Sequence, residues 1–401
     1  MGTTKSELWA ISQKLTNYPS KSELKWDSST SLTSPSLMEN STVPSSNLGI
    51  TAAAAQTVPQ QAQSALSFPL GWYDSISNPD TLNQIAKEGM NIVVPYTNSS
   101  SVQEIKSYLD RAAAVGIKVL VEIPRLQVRR DHRWLITQMI KELKTHPAVY
   151  GWYLFDEPEF IQLSPALLER VYKAIKAEDP QHKVAVAFGK PLHIREYLKA
   201  ADTIMYFNYP IMDGSSEFDG LGVPSFINKL QSVAHSITKD HDLWFILQGY
   251  GRDKHGRVTK FKRRLPTFAE SRYMIYSALI AQTDGLLFWT HYRSQQQWID
   301  SILTPILQEV QPYLSTVNSK TLSSSLTGGL KVNNSQVQAK LYQNSTTQEL
   351  LLIAVNNSRR PSNTTISIGQ SIAANSAQVL PNKSAIKLEK GTLKDFFEPY
   401  S

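Results

Sequence analysis

Cysteine is absent from the 401 residues. That removes disulfides, thiolate metal sites and cysteine nucleophiles together, and leaves the redox compartment unread. Long apolar runs are also missing: no stretch approaches the roughly 18 residues a membrane helix needs, so no span is expected. The segment Met1 to Leu15 has no basic stretch followed by an apolar one, and no ordinary secretory signal is expected there. Clusters of His, Asp or Glu at metal-ligand spacing do not occur, so neither a metal nor a cofactor is expected. Sequons such as Asn98-Ser99-Ser100 and Asn363-Thr364-Thr365 occur. In a chain rich in Asn, Ser and Thr they carry no message about export.

What remains is apolar bulk with little net charge. A hydrophobic fraction of 41%, with 8 Trp, 17 Tyr and 13 Phe, suffices for a sizeable core. The formal charge of +7 bears first on solubility, and on anionic partners only where it clusters. Residues 1–66 are rich in Ser, Thr, Gln, Ala and Pro. They read as a disordered low-complexity leader, unable to bury enough surface to offset their ordering entropy.

From Phe68 onward, eight short apolar runs alternate with helical patterns. They are Phe68–Tyr73, Asn91–Pro95, Ile117–Ile123, Val149–Phe155, Lys183–Ala187, Thr203–Phe207, Leu243–Leu247 and Gly285–Trp289. Continuous rather than alternating hydrophobicity suits parallel strands buried on both faces. Pro at the first helical turn after Asn78 and after Ser164 marks helix starts, and the apolar spacing from Ser101 to Ala114 marks one helix face. Eight such units over residues 67–315 predict an α/β fold, a closed (β/α)8 TIM barrel. A doubly wound sheet is the alternative, though no Gly-rich phosphate loop follows the first run. Residues 316–401 carry strand-like runs between Asn/Ser/Gly turns and predict a small C-terminal antiparallel β-sandwich.

In such a barrel the active site lies at the C-terminal ends of the strands. The fourth run ends Phe155-Asp156-Glu157-Pro158-Glu159. Two adjacent carboxylates repel, which favours one protonated acid beside an ionised partner, the pairing needed to protonate a glycosidic oxygen. A helix cap or an arginine partner would also explain them. Aromatic and polar residues recur at other strand ends: Trp72, Tyr73 and Asp74 after the first, Tyr206, Asn208 and Tyr209 after the sixth, Gln248 and Tyr250 after the seventh, Trp289, His291 and Tyr292 after the eighth. Rings stack on sugar faces while Asn, Gln and His bond hydroxyls, so Trp72, Asp74, Tyr206, Asn208, Gln248, Tyr250, Trp289 and His291 are the expected substrate contacts.

The segment His146 to Glu159 (HPAVYGWYLFDEPE) resembles the fourth-strand signature of (β/α)8-barrel glycosyl hydrolases, in particular a group carrying "GWYLxDEP". Leu247 to Gly251, and Leu265-Pro266-Thr267-Phe268 through Glu270, Arg272 and Tyr276 to Trp289, are similar to later blocks of the same group. The resemblance implies a glycoside hydrolase with Glu157 as general acid and Asp156 as its partner, acting on an oligo- or polysaccharide.

One departure matters. Double-displacement members of the superfamily carry a nucleophilic Glu after strand seven, where this chain has Gln248. Three explanations stand open. Asp156 could orient an acetamido group of the substrate; Asp74, Glu122 or Asp213 could serve as base in an inverting enzyme, with carboxyls roughly 6.5–9.5 Å apart; or the barrel binds glycans without cleaving them. The run from Arg252 to Arg264 holds seven Lys/Arg and one Asp. It is either a basic rim that steers an anionic glycan or a solvated loop. No nucleic-acid-binding motif accompanies it. Oligomeric state and localisation are not legible.

Overall fold

A strand apolar on both faces must be covered on both, and closing eight of them into a ring with helices outside achieves this. A computed structural model of the chain shows that solution. It describes residues 66–97, 100–218, 223–251, 262–317, 330–344, 350–368, 376–379, 384–389 and 391–400. The low-complexity leader and most of the basic run after strand seven, residues 252–261, lie outside the described residues.

The strands are β1 (Leu70–Ser75), β2 (Ile92–Tyr96), β3 (Lys118–Glu122), β4 (Val149–Asp156), β5 (Lys183–Phe188), β6 (Thr203–Phe207), β7 (Asp242–Gln248) and β8 (Gly285–Trp289). All pair in parallel in sequence order, and β8 pairs with β1 to close the barrel. Helix Val102–Ala114 opens with a capping box in which Ser101 and Glu104 satisfy each other's backbone. Helix Pro165–Glu178 starts on Ser164 with Pro in its first turn, as read from the sequence.

Alternation along each strand sorts side chains into two cores. Tyr73, Ile92, Val94, Leu120, Tyr153, Ala185, Ala187, Met205, Trp244, Ile246 and Leu287 fill the lumen, with every strand contributing. Their neighbours, among them Trp72, Val121, Trp152, Val186, Tyr206 and Phe245, pack outward against the helices. In β4 the alternation breaks. A register shift lies between Tyr153 and Phe155. Phe155 therefore joins the outer core, and Asp156 takes the level of Ala187, a lumen residue. An extra residue in one strand bends it and re-aims the side chains beyond it.

Among the described residues the C-terminal part is antiparallel, in three small sheets: β10 (Val337–Gln343) with β11 (Leu350–Asn356); β15 (Thr392–Phe397), β12 (Ser362–Ser367) and β9 (Lys331–Val332); and β13 (Ser376–Val379) with β14 (Ser384–Lys387). Leu341, Ile366, Ile368, Leu388 and Leu393 form its own core. Tyr342 donates to the carbonyl of Leu279 and Tyr273 to Asn357 Oδ1 at 2.6 Å, joining these strands to helix Phe268–Ile280.

Candidate active site

Because β4 is bulged, Asp156 points into the mouth of the lumen. Its Oδ2 accepts from Arg125 Nη2 at 2.9 Å. Arg125, the first residue of the short helix Arg125–Arg129, also places its Nε 3.1 Å from Glu122 Oε1. The other oxygen of Glu122 accepts from the backbone N–H and the hydroxyl of Thr97, at 2.8 and 3.1 Å. The C-terminal ends of β2, β3 and β4 are thereby tied in one chain, with Glu122 buried beneath and Asp156 above. Burial lowers the affinity of the Arg125 guanidinium for its proton, but Asp156 and Glu122 outweigh that and push its pKa well above the usual value.

Glu157 follows in the left-handed region at φ 59°. For a side chain other than Gly, Asn or Asp that conformation costs energy, and such outliers concentrate at functional sites. Its N–H is held by the carbonyl of Ala187 at 2.8 Å, and its Oε2 is shielded from solvent. Glu159 is turned away from the mouth: Oε1 accepts from the N–H groups of Gly189 and Lys190 at 2.7 and 3.0 Å, and joins the loops after β4 and β5. Burial still raises its pKa.

Aromatic rings line the rest of the mouth. Tyr73 packs against Tyr96 and Tyr153 at ring distances of 5.7 and 5.8 Å. Trp289 donates from Nε1 to the Tyr96 hydroxyl at 2.7 Å, stacks on Tyr209 at 19° and meets Tyr250 edge-on at 4.5 Å. The Trp289–Thr290 peptide bond is cis. Burial first, and the charge of Asp156 next, hold the phenols of Tyr73, Tyr96 and Tyr153 well above their ordinary pKa. They are therefore neutral O–H groups around Asp156, polar enough to orient a sugar hydroxyl and unable to carry charge themselves.

Several expected contacts are elsewhere. Trp72 and Tyr206 face the outer core, and the residues that do face the mouth are their neighbours Tyr73 and Phe207. Asp74 also points outward. It is fully buried and accepts from the Thr81 hydroxyl. His291 lies beside it, with Nε2 3.2 Å from Glu88 Oε1, while the Trp72 indole donates to Glu88 Oε2 at 3.0 Å. Trp72, Asp74, Glu88 and His291 are thus a closed polar knot between barrel and helix. Burial raises the pKa of Asp74, with Thr81 and His291 opposing.

Gln248 bonds to backbone. Its Oε1 accepts from Ile211 N at 2.9 Å, and its Nε2 lies 2.9, 3.1 and 3.2 Å from the carbonyls of Arg264, Ile211 and Tyr250. All of its bonding capacity goes into fastening the loops after β6 and β7. Asp213 sits on the first of those loops, its N–H bonded to the Lys262 carbonyl. Asn208 is half-buried just beyond β6, and Trp289 and Tyr250 are within the aromatic group described above. Sequence reasoning missed Arg125, Tyr96 and Tyr153. Arg125 had a signal: a cation directly after a strand end, three residues beyond Glu122.

No family model and no curated protein matches the sequence. Solved structures do match the fold. A GH27 β-L-arabinopyranosidase from Geobacillus stearothermophilus aligns at a TM-score of 0.58 and 13% identity, over 86% of this chain and 97% of that one. The α-amylase of Geobacillus thermoleovorans, solved with acarbose, gives 0.55 and 8%, over 85% and 98%. An Anoxybacillus α-amylase gives 0.54 and 9%, over 85% and 97%. What is shared is the barrel. At these identities the likeness extends to architecture, including a region beyond the barrel, and not to any particular residue.

Proposed function

We propose that the chain is a glycoside hydrolase that cleaves an O-glycosidic bond at the C-terminal mouth of the barrel. Glu157 acts as general acid, and Asp156 beside it orients a substrate group or stabilises developing positive charge. The observation that carries this reading is the bulge in β4, which turns Asp156 into an aromatic-lined mouth while Glu157 adopts a costly backbone conformation next to it. A regular strand would have pointed Asp156 at the helices. Support also comes from the fold neighbours, which are glycosidases.

In this reading Tyr96 and Trp289, already bonded to each other, form the stacking wall for a pyranose ring. Asp156 is held in place by Arg125, which suits the orienting partner rather than the proton donor. Gln248 is consumed by backbone bonds, so β7 supplies no nucleophile. That favours the substrate-assisted route, in which the acetamido group of the sugar attacks its own anomeric carbon and Asp156 holds it in place. A screen of chromogenic glycosides, with N-acetylhexosaminides included, on wild type and Glu157→Gln tests it. Cleavage lost in a folded variant supports the acid role; cleavage unchanged in the variant, or seen with no glycoside at all, rejects the reading.

A further inference from the structure

Large apolar side chains on the surface are spread very unevenly. Seven are substantially exposed among the described residues: Leu126, Trp134, Ile161, Leu192, Phe268, Tyr292 and Phe396. The first six sit on segments that follow strand ends or begin the next helix, which places them on the mouth face of the barrel. Scattered single exposures are ordinary; six on one face are not. Four of them fall on the adjacent loops after β3, β4 and β5, where Leu126, Trp134 and Leu192 are 51%, 65% and 88% exposed.

The two outer loops of that arc are basic, while the loop between them carries Glu157 and Glu159 and no Lys or Arg. Residues 124–134 and 189–196 together hold six Lys/Arg against Asp131 and Glu196. Both of those carboxylates are already engaged, Asp131 by Arg133 and Arg170 and Glu196 by His193. Arg129 and Arg130 are exposed and take part in no ion pair with described residues. The tips are also firmly held. Glu159 ties the loop after β5 to that after β4, and Lys190 lies 4.4 Å above the Phe160 ring.

Protruding leucine and tryptophan tips, with cations between them, match an interface that is anionic outside and apolar beneath. Leucine and isoleucine offer a glycan neither a flat ring nor a polar partner. A second copy of the chain would set these like charges against each other across a two-fold axis. We propose that this face docks on an anionic lipid surface. Leu126, Trp134, Ile161 and Leu192 enter the headgroup layer, and Arg129, Arg130 and Lys190 pair with lipid phosphates. No helix among the described residues is long and apolar enough to cross a membrane, and docking of this kind needs none. The barrel mouth then opens toward the bilayer.

The test uses the full chain and vesicles of phosphatidylcholine alone or mixed equally with phosphatidylglycerol, read by co-sedimentation. The inference expects binding to the mixed vesicles, little to phosphatidylcholine, and weakening as salt rises. Trp134→Ser with Leu192→Ser, and separately Arg129→Glu with Arg130→Glu, should each weaken binding about tenfold without altering the circular dichroism spectrum. Absence of binding, equal binding to both vesicle types, or variants that bind as well as wild type would overturn it. So would a solution dimer dispersed by the Trp134 and Leu192 changes. Because no turnover is measured, the outcome is separate from that of the glycosidase reading.

Discussion

Arg125 bridges two carboxylates of different depth, with its Nη2 2.9 Å from Asp156 at the mouth and its Nε 3.1 Å from the buried Glu122. The buried acid thus anchors the cation, and the cation anchors the outer acid. On the proposed glycosidase reading, Arg125→Ala should lower turnover of a cleaved glycoside by roughly 100-fold, since a misplaced orienting group costs about that much. Arg125→Lys keeps the charge but not the fork, and should recover only part of the rate. The stability loss should be about 2 kcal/mol, below that of a fully buried pair because the guanidinium is partly exposed. Steady-state kinetics and thermal melts on the two variants check this.

Gln248 occupies the place of an expected nucleophile, yet its amide faces three carbonyl oxygens. Gln248→Glu should therefore not raise activity. A carboxylate there would oppose carbonyl dipoles and loosen both loops, at a cost of about 2 kcal/mol. Gain of glycosidase activity in that variant would contradict the clamp role.

Asp74 has its pKa raised by burial, so the folded state holds that proton more tightly than the unfolded chain. Its favourable contribution is present at low pH and is lost as pH rises past the ordinary carboxylate range. Asp74→Asn removes the buried charge and keeps an acceptor for Thr81. It should raise the melting temperature at pH 7 and change it little at pH 4, with a gain on the order of 1 kcal/mol at neutral pH. An equal gain at both pH values would show that charge is not the cause.

At the other end of the barrel the sign reverses. Burial pushes the Asp179 carboxyl up, but bonds from His182 and from the Trp152 indole prevail and hold it at about 2. Its contribution is therefore present above the ordinary carboxylate range and disappears as pH falls from 3.8 to about 2. Asp179→Ala should cost about 2 kcal/mol near neutrality, by stranding the Trp152 N–H. It should also flatten the acid limb of the stability profile.

The eight strands were legible because each is a continuous apolar run, and every one lies within a few residues of its expected place. That same continuity hid the side-chain phase. With both faces apolar, nothing in Leu70–Ser75 or Thr203–Phe207 says which of two neighbours looks inward: Trp72 and Tyr73 are equal candidates by sequence, as are Tyr206 and Phe207, and it is Tyr73 and Phe207 that face the mouth. Asp156 and Glu157 stood out because charge is rare at the end of such a run. The bonding of Gln248 and His291 was hidden for another reason. Their partners, Ile211 and Arg264 in one case and Glu88 in the other, are remote in sequence, and local spacing cannot report them.

The offset in β4 also means that the acid's direction depends on a count of residues. The same letters laid on an even ladder would turn Phe155 into the lumen and Asp156 toward the helices. Grafting Val149 to Glu159 onto another barrel would carry the motif but not its reading frame, unless the neighbouring strand supplied a matching offset. Pattern matching alone would score such a graft as intact.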